Sequence, residues 1–412
     1  MLSPRVAVVY HSRHGTLREL ARAAAEGAAA RGARVRLAGV EDSEAPARAQ
    51  AWPERSAGPD DVLWADGLVL ATPTYFGNVS SPFKRFLEST SSLWTQGRLT
   101  DRVVTGMTAS SCTHGGREAT LLALYQTVYH WGSWVLGPDP AGPDFVALGA
   151  NPYGLSADRH RDGTVGARER AAAWSLGGYL ADTAARSRPG PTASPGRRRR
   201  ARVTVVHCAE DWGTRCLAQE AAAGARDLGA RVRLRRVAGP NAAGASARPG
   251  PDGAPASAAV TASDVAWADA VMFGAPSLLG TMDASLLGFV QSLAPAAGSG
   301  PLVTKPAGAF VTTEHRHAGS ESALLSFHRL LQHCGALVVP PGYTDPAVFA
   351  AGGNPYGTSH PRSAGAAPTA EVLAAVRHQG RRMAMAADRM RPREALEDNG
   401  SQEGPHVDHA TV

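Results

Sequence analysis

Three short polar loops carry the residue types with which this chain could do chemistry. The first is His11-Ser12-Arg13-His14-Gly15-Thr16-Leu17, which follows a β-branched run and precedes an Ala-rich helical pattern. Hydroxyls, a glycine and free backbone N–H groups at a helix N-terminus together make an anion site. Ser12 and Thr16 can donate to phosphate oxygens, Gly15 permits close backbone approach, Arg13 or His14 adds positive potential, and Leu17 leads into the helix. The loop has neither the G-x-G-x-x-G of a dinucleotide turn nor the G-x-x-x-x-G-K-S/T of a P-loop, so a monophosphate fits better than a pyrophosphate. Alone, such a turn is also what any α/β protein uses to cap a helix.

The second loop, Ala71-Thr72-Pro73-Thr74-Tyr75-Phe76-Gly77-Asn78, follows a third strand pattern and continues through SSPFKRFLE to Trp94. The third, Ser110-Ser111-Cys112-Thr113-His114-Gly115-Gly116-Arg117-Glu118, follows a fourth. Three glycine-bearing loops at successive strand ends outline one ligand crevice, because open α/β sheets bind at the carboxyl ends of their strands. Backbone N–H groups around Thr113 to Gly116, and the side chain of His130, are the candidates for stabilising a negative charge there. His130 stands on an otherwise apolar helix, where a histidine is more often a satisfied core residue. Trp94 and Phe76 also have a plain reading as core aromatics.

The elements that must position these loops alternate. Strand patterns at Arg5, Arg34–Val40, Gly67–Ala71 and Val103–Thr108 interleave with helical patterns at Leu17–Arg31, Pro82–Ser91 and Glu118–Trp131. Alternation of this kind predicts an α/β fold, a doubly wound parallel sheet with helices on both faces. The whole pattern then recurs. WADGLVLATP at Trp64 returns as WADAVMFGAP at Trp267, an offset of 203 that also pairs Asn151-Pro152-Tyr153-Gly154 with Asn354-Pro355-Tyr356-Gly357. Nearer the start, GARVRL at Gly32 returns at Gly229 with an offset of 197. Two tandem five-stranded domains are expected, at residues 1–186 and 202–390. A Pro/Gly/Arg-rich linker at 187–201 separates them, Gly239–Ser263 forms a long surface loop, and a polar tail runs from 391 to 412.

Composition narrows the function classes. The 412 residues are 43% hydrophobic and 19% charged, a globular balance. Of the net charge of +6, all but +1 is supplied by Arg197, Arg198, Arg199, Arg200 and Arg202, a local cluster that reads as a solvated linker and not as a nucleic-acid surface. Cys112, Cys208, Cys216 and Cys334 show no CxxC spacing or disulfide framework. With no leader at Met1–Tyr10 and no run of about 18 apolar residues, a cytoplasmic protein without a membrane span is expected.

The loops resemble those of the WrbA-type flavoproteins, over about Arg5 to Ala185. TPTYFGN, the Trp94 that follows it, the Thr-His-Gly-Gly loop and Asn-Pro-Tyr-Gly carry the similarity most specifically. The resemblance implies a flavodoxin-like fold and an FMN-dependent NAD(P)H:quinone oxidoreductase. It implies that Ser12 to Leu17 hold the FMN phosphate, that Thr74 to Phe76 and Ser110 to Gly115 line the isoalloxazine, and that Trp94 walls the quinone site. The chain departs from the family at Tyr75, where arginine is usual, at His114 for glycine and at Trp131 for histidine. The family is tetrameric with sites completed by neighbours, which implies a homodimer of tandem chains. A one-electron flavodoxin-like carrier and a flavin-free module of the same fold are the alternatives.

The second half lacks most of this chemistry. Its first loop reads His207-Cys208-Ala209-Glu210-Asp211-Trp212-Gly213-Thr214, with two acids where a phosphate would lie. At about 4 Å each carboxylate repels a phosphate charge by about 1 kcal/mol in water and about 4 kcal/mol at an effective dielectric of 20. The third loop carries His315 and His317, which with Glu314 or His328 suggest a metal, but H-x-H without a spaced third ligand is weak, and no metal is expected. One FMN per chain follows.

Overall fold

The β-branched runs of the first half form strands β1 (Arg5–Tyr10), β2 (Arg34–Gly39), β3 (Gly67–Tyr75), β4 (Asn78–Val79), β5 (Val103–Ser110), β6 (Trp134–Val135) and β7 (Gly154–Asp158). Between them lie helices α1 (Thr16–Ala30), α2 (Pro59–Trp64), α3 (Ser81–Ser89), α4 (Ser91–Thr95), α5 (Arg117–His130), α6 (Pro143–Ala147) and α7 (Ala167–Ser187). The computed structural model describes residues 3–44, 55–147, 149–158, 164–189, 200–208, 211–237, 257–293, 300–362 and 367–391.

The strands run β2-β1-β3-β5 in parallel. The fifth position is filled by two pieces, β6 against the start of β5 and β7 against its end. Strands buried on both faces read as near-continuous apolar runs, and β1, β3 and β5 do so.

The second half repeats the plan with β8 (Arg202–Cys208), β9 (Arg231–Val237), β10 (Ala258–Ala259), β11 (Ala270–Leu278), β12 (Thr281–Met282), β13 (Pro306–Thr313), β14 (Leu337–Val338) and β15 (Ser359–Pro361). Its helices are α8 (Trp212–Asp227), α9 (Ala262–Trp267), α10 (Ala284–Ser292), α11 (Ser320–His333), α12 (Pro346–Ala350) and α13 (Ala370–Met390). The two half-sheets are not separate, as two tandem domains would suggest. β14 lies antiparallel to β6, with Val338 opposite Val135, and the path β10-β9-β8-β11-β13-β14-β6-β5-β3-β1-β2 is continuous. The apolar core on each face of the sheet likewise runs through both repeats.

Arg382, buried on α13, donates to the carbonyls of Gly132 and Pro340 at 3.1 Å each and pairs with Asp101 at 2.9 Å, tying the halves together. Within each half, two helices touch through glycine. A Cβ on Gly27 would lie 1.9 Å from the carbonyl oxygen of Trp174, and one on Gly177 would lie 1.9 Å from that of Ala24. Gly224 and Gly380 repeat the arrangement between α8 and α13.

Of the expected linker, Ser187 closes α7 and residues 190–199 lie outside the described residues. The expected loop Gly239–Ser263 is corrected at its end. Residues 257–263 are ordered into β10, which pairs with β9, and the start of α9, while 238–256 fall outside the description, as do tail residues 392–412.

Candidate functional site

At the carboxyl ends of β1, β3 and β5 the three polar loops surround a crevice of about 320 Å³. That volume is at the lower end of small-ligand clefts, which run from about 300 to 1,000 Å³. The first loop turns into α1 through Gly15, whose φ of 100° is left-handed backbone that glycine adopts without a Cβ clash. Helix α1 has no side-chain cap. Its first residue, Thr16, lines the crevice, is 2% exposed, and its hydroxyl oxygen has no hydrogen-bond partner. Ser12 accepts the Gly15 N–H at 3.1 Å, which leaves its O–H to donate outward. Arg13, His14 and Leu17 also line the space.

Beneath this loop runs a buried network that the sequence did not reveal. His11 Nδ1 stands 2.7 Å from the Ser80 hydroxyl and Nε2 stands 3.0 Å from Asp42 Oδ2, and Arg13 Nε donates to the same carboxylate oxygen at 2.9 Å. Burial lowers the His11 pKa against the raising effect of Asp42, so the neutral ring donates to Asp42 and accepts from Ser80. Burial raises Asp42, but hydrogen bonds from His11 and the Glu44 N–H, with the Arg13 charge, outweigh it and the net shift is downward. The network therefore holds Arg13 by its carboxylate and offsets part of its charge.

The TPTYFGN segment folds as a tight hairpin, with Thr74 opposite Val79 and Tyr75 opposite Asn78. Phe76 and Gly77 form its tip at φ 50° and 75°, the signs of a type I′ turn. The Thr74 hydroxyl bonds to Thr120 and to the Gly116 carbonyl at 3.2 Å, so the hairpin is fastened to the third loop. Thr74 and Tyr75 line the crevice, whereas Phe76 projects wholly into solvent.

In the third loop Ser110, Ser111, Cys112 and Gly115 line the crevice, and Thr113 and His114 lie exposed beyond its wall. Arg117 is the organiser that sequence reasoning missed. It is buried, donates to the Ser110 hydroxyl at 2.8 Å and to the Ser110 carbonyl at 3.2 Å, and pairs with Asp158. The Gly115 N–H closes the turn on the Cys112 carbonyl at 3.0 Å.

Trp94 and His130 are not brought to this crevice. The Trp94 ring meets Tyr343 of the second repeat edge-on at 5.6 Å and His130 at 6.3 Å, and His130 also meets Tyr356 at 5.9 Å. Both belong to the seam between the repeats, because α4 and the end of α5 face β14 and its following loop. Neither residue lines the crevice of its own repeat, and both pack across that seam.

In the second repeat the first loop is filled from within. Asp211 caps α8, its Oδ2 accepting the Thr214 N–H at 2.7 Å and the hydroxyls of Thr214 and Thr312 at 2.5 and 2.8 Å. Its Oδ1 accepts from Arg362 at 3.0 Å. Glu210, the other expected acid, lies outside the described residues. His315 and His317 are exposed, while His328 is buried against Tyr129 with a ring separation of 4.9 Å. Among the described residues no group of three or more His, Cys, Asp or Glu side chains is placed to hold a metal ion, and no helix is long and apolar enough to cross a membrane.

Comparison with known proteins gives two matches to one family, described as NADPH-dependent FMN reductase, over residues 4–143 and 203–346. An NAD(P)H dehydrogenase (quinone) of Deinococcus radiodurans is 34% identical over 164 residues, spanning 37% of this chain and 82% of that relative. NAD(P)H dehydrogenase (quinone) 3 of Rhizobium meliloti is 31% identical over 195 residues, spanning 44% of this chain and 92% of the relative. Each relative is thus about one repeat long. Among solved structures, a WrbA-like flavodoxin protein from Agrobacterium tumefaciens is 26% identical and covers 45% of this chain and all of that one, with a TM-score of 0.34.

Proposed function

The chain belongs to the NADPH-dependent FMN reductase family, and from that premise we propose that its first repeat holds FMN and passes two electrons from NAD(P)H to a quinone. The observation that carries the assignment is the Thr16 hydroxyl, buried and unpartnered at the N-terminus of a 15-residue helix whose first residue lines the crevice. A buried hydroxyl left without a partner costs about 1–3 kcal/mol, which a phosphate oxygen at that place removes. Ser12, with its O–H still to give, and the first N–H groups of α1 complete a donor set suited to a phosphate monoester.

FMN, when bound, supplies the hydride-accepting and hydride-donating ring. The chain's part is to position it. Arg13 is held in place by Asp42, which His11 also binds, Tyr75 and the Ser110–Cys112 turn form the walls, and the crevice is open toward solvent. One open face must serve donor and acceptor in turn, so a ping-pong mechanism follows. The assembly that fits is a homodimer of tandem chains, four lobes with one FMN per chain and no nucleic-acid partner.

The absorbance spectrum of the purified protein tests the cofactor, with flavin bands near one per chain as the expected result. Ser12→Ala and Thr16→Val should each weaken FMN by about 1–2 kcal/mol, the worth of a charge-assisted hydrogen bond. Double-reciprocal plots with NAD(P)H and benzoquinone should be parallel, and intersecting lines count against a shared face. Light-scattering mass together with released flavin checks the assembly, which two FMN per chain would overturn.

A further inference from the structure

We infer that the Asp211 carboxylate is a built-in ligand, filling in the second repeat the anion place that a phosphate monoester takes in the first, and that its removal uncovers a site for inorganic phosphate. The inference rests on the phosphate assignment proposed for the first repeat. Helices α1 and α8 start from equivalent strands, and the segments correspond with an offset of 197. At α1 the chain supplies no cap and leaves Thr16 unpaired. At α8 four donors converge on one side chain: the Thr214 N–H, the Thr214 and Thr312 hydroxyls, and Arg362.

Asp211 stands where the first repeat has His14, Thr214 where it has Leu17, and Thr312 where it has Ala109. The acceptor and its two hydroxyl donors are all absent from the first repeat, although Thr312 lies 101 residues from Asp211 in the chain, whereas Arg362 corresponds to Arg159 at the offset of 203. Thr214 and Thr312 are both wholly buried, so their hydroxyls, 2.8 Å apart, have each other and Asp211 as partners in place of water. Burial raises the Asp211 pKa, but the threonine hydrogen bonds and the Arg362 charge outweigh it, so the group is held ionised as a phosphate oxygen would be. Arg362 also reaches Glu314 at 3.5 Å, and its Nε is buried without a partner, so its guanidinium is not fully satisfied even with Asp211 in place.

Truncating Asp211 removes the acceptor these donors share and opens space beside a helix N-terminus that favours negative charge. A free tetrahedral oxyanion presents enough acceptor oxygens to replace it.

The test compares thermal unfolding of the FMN-saturated full chain and of Asp211→Ala, with inorganic phosphate titrated at constant ionic strength against chloride. The variant should unfold at a lower temperature, and phosphate should raise its midpoint saturably and by more than the wild type's, recovering at least half of the loss. Asp211→Ser, which keeps a capping hydroxyl while vacating the carboxylate space, gives the same readout if the alanine variant does not fold. A variant as stable as the wild type, or one whose phosphate response is no larger than the wild type's, overturns the inference. Failure of the FMN assignment shows separately, as absence of flavin from the wild type, and leaves the phosphate comparison readable.

Discussion

Val135 and Val338 pair across the bridge that joins the two half-sheets, and Val338 is the residue 203 positions on, so each valine faces its own repeat counterpart. A residue that pairs with its own counterpart lies on a twofold axis. The neighbours obey it: Tyr153 meets His333 edge-on at 5.5 Å, and Tyr356 meets His130 edge-on at 5.9 Å. The chain thus contains an isologous interface of the kind that joins identical subunits.

The Tyr153 hydroxyl and His333 Nε2 are 3.1 Å apart. A double-mutant cycle with Tyr153→Phe and His333→Gln, read by urea unfolding, should give a coupling of about 0.5–1.5 kcal/mol. A coupling indistinguishable from zero would mean that the contact contributes nothing to holding the repeats together.

Trp94 packs on Tyr343 across the same seam. Trp94→Ala should cost about 2 kcal/mol of stability, less than a full core truncation because the ring is only half-buried. The quinone KM and the FMN affinity should stay within twofold of the wild type. A selective rise in quinone KM with unchanged stability would return Trp94 to the acceptor site.

Gly177 and Gly178 are neighbours on α7 with opposite surroundings. Alanine at 177 would place its Cβ 1.9 Å from the Ala24 carbonyl oxygen, whereas at 178 the nearest atom is 3.4 Å away. Gly177→Ala should destabilise by about 2 kcal/mol or more through overpacking, despite a helix-propensity gain of about 1 kcal/mol. Gly178→Ala should be neutral or stabilising. Equal midpoints for the two variants would contradict the close helix contact.

His328 is wholly buried with both ring nitrogens unpartnered, and burial pushes its pKa down to about 3 from 6.5. The folded-state value is depressed, so the unfolded chain takes up a proton below pH 6.5 that the folded chain refuses. Stability is therefore full above pH 6.5 and falls as pH drops, at up to about 1.4 kcal/mol per unit for this group. His328→Phe should flatten the slope between pH 6.5 and 5, and an unchanged slope would show that His328 does not govern it.

Repetition made the fold legible, because strands and loops that recur at one offset cannot be accidents of composition. The three crevice loops were legible for the same reason that they work, since hydroxyls and glycines cluster where a helix begins. Trp94 directly follows a ligand-lining motif, yet chain adjacency says nothing about which way a short helix faces, and its packing on Tyr343 was not legible. His11, Asp42 and Ser80 come from three separate segments, and Arg117 sits in an exposed-looking polar run, so no local pattern marks either. Gly27 and Gly177 read as helix weakeners until two backbones are seen to touch. The charge of Asp211 was apparent from the sequence, but the partners that satisfy it lie as far as 151 residues away.

Joining the halves through β6 and β14 also bears on association. Two separate half-sheets would present four open edges, each a row of unpaired N–H and C=O groups able to recruit another chain. The junction covers β6 and β14 internally, leaving β2, β10 and the outer sides of β7 and β15 unpaired in the described sheet. Cutting the chain between its repeats would therefore create two sticky strands along with two smaller proteins, and each fragment would seek a mate in solution that the intact chain already carries.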